Sequence, residues 1–237
     1  MKGLVFLDTE TTGNNLLSDR LFQVCYLVDG KTQAQYFKPS LPISVKAQSI
    51  THVTNKMIES CEPFADSKMK IDLQKLLKDK VLVAHNAVFD ICMLSKEGID
   101  VPKFICTLKV SRFLDEEELV PEHNLQFLRY FHEIEVKANA HDAEGDVLVL
   151  EAVFKNLFDR MMEKYQNEEE VIAKMIEISL QPSIFRTFTF GKYKGQKIEE
   201  IAKTDKNYLE WLLNEKSQGN NSDEDWIFTL KHYLNIK

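Results

Sequence analysis

Residues 3–13 read GLVFLDTETTG, and the fold turns on how this stretch is taken. Leu4 to Leu7 are strand-forming and apolar, and the run ends abruptly in two carboxylates, Asp8 and Glu10. Side chains alternate across a strand with period two, so Asp8 and Glu10 project from one side while Thr9 points to the other. Two like charges held side by side repel, and a cation between them relieves the conflict. A divalent metal is the natural guest. The plain alternative is a solvated loop at the end of a strand.

Working outward, RLFQVCYLVDGKTQAQYFKP reads as two strands joined at Asp29-Gly30, a strong hairpin signal. The region from about Val45 to Lys80 reads as mainly helical, punctuated by Pro63 and carrying the amphipathic LQKLLK. VLVAHNAVFDICMLSKEG repeats the opening pattern of apolar strand, polar turn and helix, with Gly98 as the helix stop and Asp90 near its start. KFICTLKVSRFL predicts a short strand running into a helix, and NLQFLRYFHEI a further helix. In HDAEGDVLVLEAVFKNLFDRMMEKY, Val147, Leu150, Phe154, Leu157 and Met161 recur at helical spacing, so a long helix packs by that stripe. A hairpin followed by alternating strands and helices predicts an α/β fold with a mixed sheet flanked by helices.

The 237 residues carry a net charge of −7, which argues against a protein that coats nucleic acid by bulk electrostatics. That charge is uneven. Residues 183–237 hold nine basic and eight acidic side chains, against 21 and 29 in residues 1–182. The change in charge near Pro182 sets off a small α+β module, expected over 184–237, from a larger domain expected over 1–165 with a helical linker over 166–183. In that module FRTFTF alternates as a strand would, a Gly-punctuated basic turn follows, and IEEI and NYLEWLLNE read as helices. NEKSQGNNSDED reads as a long loop. Arg186, Lys192, Lys194 and Lys197 occur with no acid among residues 186–197, interleaved with Phe188, Phe190 and Tyr193. That suits phosphate contact and base stacking; a small hairpin with its own aromatic core and solvated lysines is the alternative. The four cysteines are far apart and lack zinc spacing, so reduced thiols in a cytoplasmic protein are expected. No apolar run is long enough for a signal peptide or membrane span.

HDAEGD places His141 five residues before Asp146, at the entrance to the long helix. Asp8, Glu10, Asp90 and Asp146 with His141 make a set of hard oxygen ligands and one proton acceptor, each at the end of a regular element. Mg²⁺ or Mn²⁺ prefers such oxygens, and two ions can hold the attacking and departing oxygens of a phosphodiester. In such a set Asp8, Glu10, Asp90 and Asp146 supply the ligand oxygens and His141 accepts the water's proton. His85 and Asn86 are positioned to touch a phosphate, Asn86 alternatively to cap the following helix, and Phe89 to stack on a base or to join the core.

FLDTETTG, AHNAVFD and HDAEGD together resemble the three motifs of the DEDD exonuclease superfamily, and His141 resembles its histidine subclass. The resemblance covers about residues 3–160. It implies a ribonuclease H-like domain and release of nucleoside monophosphates from a 3′ end. In the resembling family the segment at Thr11 and Thr12 receives the terminal nucleotide; a simple turn with Gly13 at positive φ is the alternative. FTFGKYKGQKIEEIAKTDKNYLEWLL is similar to the C-terminal module of exodeoxyribonuclease X-like proteins. That likeness implies association with DNA in preference to RNA, with Lys192 and Lys194 as phosphate contacts; single strands or frayed 3′ ends as the DNA form, and DNA polymerase or repair proteins as partners, are further expectations that the sequence leaves open. The rival expectations are an RNA-trimming enzyme and a noncatalytic binding protein that retains the fold.

Overall fold

In the computed structural model, residues 2–136, 143–218 and 223–236 are described. They divide into two units: residues 1–114 with 120–179, and residues 115–119 with 180–237.

The first unit is built on a five-stranded sheet. β1 (Leu4–Thr11) is followed by the hairpin β2 (Leu21–Val28) and β3 (Lys31–Tyr36). Asp29 and Gly30, at φ 49° and 75°, form the tight turn, which is why an Asp-Gly pair stands there. Next come α1 (Val45–Thr51), a 3₁₀ turn at Phe64–Asp66 and α2 (Lys68–Asp79), so 52–63 is less helical than its composition suggests. β4 (Val81–Ala84), α3 (Val88–Lys96) and β5 (Phe104–Cys106) form a parallel crossover. The sheet order is β3-β2-β1-β4-β5, with β1 antiparallel to β2 and parallel to β4. The predicted mixed α/β sheet is thus observed. Its outer strand β3, KTQAQY, is polar and largely exposed, which discourages edge-to-edge pairing.

The remaining helices of this unit are α4 (Thr107–Leu114), α5 (Leu125–Phe131), the 23-residue α6 (Ala143–Tyr165) and α7 (Glu168–Leu180), the last two residues of which straddle the division between units. Alternation along β1 sends Leu4 and Phe6 into one core with Val147, Phe154 and Leu157 of α6. Val5 and Leu7 enter the opposite core with Leu73 and Leu77 of α2 and Met93 and Leu94 of α3. The helical stripe read in the sequence is buried throughout. α7 packs as core, not merely as a connector: Val171 and Met175 join the α6 cluster, and Ser179 Oγ accepts from the Cys106 amide at 2.7 Å.

The second unit holds α8 (Ile198–Thr204), α9 (Lys206–Gln218) and α10 (Glu224–Leu234) around Trp226. The alternating FRTFTF forms no strand; among the described residues it contributes one bridge, Thr187 to Lys197. Its aromatics turn inward, with the rings of Phe185, Phe188 and Phe190 lying 4.7, 5.7 and 4.9 Å from that of Trp226. α9 extends through Gln218, so the start of the expected loop is helical. Residues 115–119 belong here by contact: Glu118 accepts from Thr187 Oγ1 at 2.7 Å and pairs with Lys197.

Candidate active site

The alternation that divides the core also divides the acids. Asp8 and Glu10 continue the Phe6 side of β1, toward α6, whose first turn carries Asp146. Each of Asp8, Glu10 and Asp146 presents a carboxylate oxygen within 4.8 Å of the others, and all three are partly buried. An acid in the first turn of a helix is favoured by the helix dipole. The donors are all carboxylate oxygens, the chemistry that suits Mg²⁺ or Mn²⁺ and disfavours soft metals. These residues therefore fit a divalent ion.

Asp90 lies on the other side of β1. It is buried, 4% exposed, and does not belong to the acidic cluster. β4 pairs with β1 only as far as Phe6, so the Thr9 amide lies past the end of the parallel ladder. Asp90 Oδ1 takes that amide at 3.1 Å and the Thr9 hydroxyl at 2.7 Å. Burial pushes the Asp90 carboxyl up to about 7, against the pull of the Thr9 donors. The expectation that Asp90 completes the metal shells thus concerns a carboxylate whose Oδ1 also accepts from Thr9, the residue between Asp8 and Glu10.

The neighbouring candidates are also engaged. Thr11 Oγ1 donates to Gly13 O at 2.8 Å, and buried Thr12 donates from Oγ1 to Asp19 Oδ1 at 2.8 Å. Gly13 is not among the glycines at positive φ. A Cβ there would lie 2.6 Å from Asp19 Oδ2, so close approach, rather than backbone twist, requires glycine. His85 Nδ1 lies 2.9 Å from Thr107 Oγ1, and the ring also meets the backbone of His123. Burial depresses its pKa to about 4, so the imidazole is neutral near pH 7. Asn86 sits at φ 61° with its side chain exposed; Ala87 is the N-cap of α3 and no side chain caps that helix. Phe89 is partly buried against the α2–α3 core. His141 lies outside the described residues.

In the second unit Lys192 Nζ lies 3.2 Å from Asp205 and 4.6 Å from the centroid of the Tyr193 ring, while Lys194 is exposed. Trp211 is 53% exposed beside Tyr208, 5.5 Å between centroids.

One residue close to the acids gave no warning in the sequence. Gln126 of α5 donates from Nε2 to Asp146 Oδ1 at 2.6 Å. Within NLQFL it looks like any polar position of an amphipathic helix.

Three carboxylates converging at the carboxyl end of the central strand of a mixed sheet make a site suited to a divalent ion, the donor chemistry that phosphodiester hydrolysis uses. Residues 5–154 match the exonuclease family model, and the chain belongs to that family. Residues 188–217 match a second model, the exodeoxyribonuclease X-like C-terminal domain. Exodeoxyribonuclease 10 of Escherichia coli K12 is 29% identical over 243 residues, covering 98% of each chain. A PolC-type DNA polymerase III of Streptococcus pneumoniae D39 is 32% identical over 124 residues, covering 48% of this chain and 8% of that one. Among solved structures, exonuclease X in complex with 5′-overhanging duplex DNA aligns at TM-score 0.58 and 22% identity, over 74% of this chain and 99% of that one. The zinc-bound ExoI–ssDNA complex of E. coli aligns at 0.56 and 21%, over 73% and 45%. The two structural likenesses support the ribonuclease H-like fold.

Proposed function

We propose that this protein is a divalent-metal-dependent 3′-to-5′ exodeoxyribonuclease that releases nucleoside 5′-monophosphates from DNA ends. The observation that carries the reading is the convergence of Asp8, Glu10 and Asp146 within 4.8 Å, in a chain whose residues 5–154 match the exonuclease family. Full-length likeness to exodeoxyribonuclease 10 supports DNA over RNA.

Asp8, Glu10 and Asp146 hold the metal, with Mg²⁺ and Mn²⁺ both suited to the donors. When bound, a pair of such ions supplies an acidified water and counter-charge for the departing 3′-oxygen. His141, assigned from its spacing to Asp146, takes the water's proton. Asp90 fixes Thr9 from the opposite side and so holds Asp8 and Glu10 in register. Thr11 and Thr12 receive the terminal nucleotide in this reading, with the Thr12 hydroxyl held in place by Asp19. Asn86, in the left-handed region at the end of β4, and Phe89 flank the substrate; His85, neutral and tied to Thr107, supports their turn. In the second unit Lys192 and Lys194 track phosphates. Among the described residues no helix is long and apolar enough to cross a membrane, and the cytoplasm is the compartment this reading assigns.

The test is digestion of 5′-labelled single-stranded DNA and its RNA counterpart, with Mg²⁺, Mn²⁺ or chelator, by the native chain, Asp8→Asn and His141→Ala. A metal-dependent DNA ladder shortening from the 3′ end, lost in Asp8→Asn and strongly reduced in His141→Ala, is expected. Faster RNA shortening overturns the substrate. No cleavage under any metal overturns the enzyme.

A further inference from the structure

The amide of Gln126 has two ends, and its surroundings assign both. Gln126 Oε1 lies 3.5 Å from Arg129 Nη1, and a guanidinium only donates, so the oxygen faces Arg129 and the nitrogen faces Asp146. Gln126 and Arg129 are three apart on α5 and therefore share a helix face. Arg129 is itself anchored, with Nη2 donating to the carbonyl of Val136. The result is a directed relay from Val136 through Arg129 and Gln126 to one oxygen of Asp146.

We infer that Gln126 is a positioning residue for the metal ligand Asp146. By holding Oδ1 it restrains rotation of the carboxylate that would meet the cation. A neutral donor does this without cancelling the charge that the cation needs; a lysine or arginine in its place would compete with the metal. Hydrogen-bonding partners of ligands typically control metal affinity or activity by about 10–100-fold. The inference rests on the metal reading of Asp8, Glu10 and Asp146, and its test separates the two.

Mn²⁺ binding is measured directly by electron paramagnetic resonance on the metal-stripped full chain, without substrate. The proteins are native, Asp8→Asn, Gln126→Met, which keeps length and packing but removes the donor, and Gln126→Asn, which keeps the amide but withdraws it by one methylene. Native binding that is lost in Asp8→Asn establishes the metal site. On that footing, both Gln126 variants are expected to bind Mn²⁺ about 10-fold or more weakly, with little change in metal-free melting temperature. Raising the metal concentration is expected to restore most of their DNA cleavage. Unchanged Mn²⁺ affinity in both variants, with or without a lower melting temperature, overturns the inference and leaves Gln126 as a structural link between α5 and α6. Failure of the native chain to bind Mn²⁺ overturns the metal reading and the inference with it.

Discussion

Asp90 Oδ1 accepts two hydrogen bonds from Thr9, one from its amide and one from its hydroxyl, across 81 positions of sequence. The central strand outruns its parallel neighbour at this point, and a side chain from α3 stands in for the missing ladder partner. Thr9 is 7% exposed, so this pair is shielded from water. Thr9→Val keeps shape and β-branching but removes the hydroxyl donor. Loss of about 1–3 kcal/mol in urea unfolding is expected. Burial then acts with less opposition, so the Asp90 carboxyl moves further up; carboxyl ¹³C NMR titration of the two proteins reads the direction, and an unmoved Asp90 refutes it.

Gly13→Ala tests close approach in the loop after β1. The added methyl meets Asp19 Oδ2 at 2.6 Å, and that carboxylate is not a loose end, since it accepts from the Asn15 amide at 2.7 Å and the Thr12 hydroxyl at 2.8 Å. Displacing it breaks both contacts. Destabilisation of about 1–3 kcal/mol by chemical denaturation is expected. If instead the glycine served only backbone freedom at a negative φ, alanine would be neutral or slightly stabilising.

His85 gives the pH dependence a sign. Its folded pKa of about 4 lies below the ordinary 6.5, so between those values the unfolded chain binds the extra proton. The contribution of this group to stability is full above about pH 6.5 and is lost as pH falls toward 4. Unfolding free energies of native protein and His85→Asn, measured at pH 8 and pH 5, are expected to converge by about 1–2 kcal/mol on acidification. Parallel curves would remove the imidazole from the account.

Lys192 and Lys194 lie two residues apart in the basic turn but are unequal. Lys192 is already paired with Asp205 and lies over Tyr193, so transfer to a phosphate sacrifices existing contacts. Each phosphate neutralised on a single strand contributes about 0.7 to the slope of log affinity against log salt. Lys194→Ala is expected to lower the slope by about that amount, and Lys192→Ala by less. Fluorescence anisotropy with a single-stranded oligonucleotide from low to moderate salt measures both; equal slopes in all three proteins would dismiss the turn as a phosphate contact.

Much of this was legible because the signals were local. Asp29-Gly30 names its own turn, and the stripe from Val147 to Met161 names its own helix. Period-two alternation in LDTE also placed Thr9 opposite Asp8 and Glu10. Asp90 meets Thr9 from α3, a contact that required knowing where β4 stops. Gln126 was illegible because its meaning lies 20 positions away, in Asp146. The alternating FRTFTF misled since an aromatic pattern of that period serves equally to fill a small core, and Trp226, which collects those rings, comes from a later helix. Gly13 looked like a turn glycine, and only the return of Asp19 against it shows the steric reason.

Glu118 has a consequence for how the polypeptide is made. Its partners Thr187 and Lys197 follow it by 69 and 79 residues. At roughly 5–20 residues per second, the ribosome delivers them several seconds after Glu118 has emerged. The five residues 115–119 thus leave the tunnel well ahead of the module they complete, while β1 to β5 are already available to pair. A nascent chain halted before residue 180 carries this short segment as an orphan, and a gene cut at the apparent domain boundary would do the same permanently.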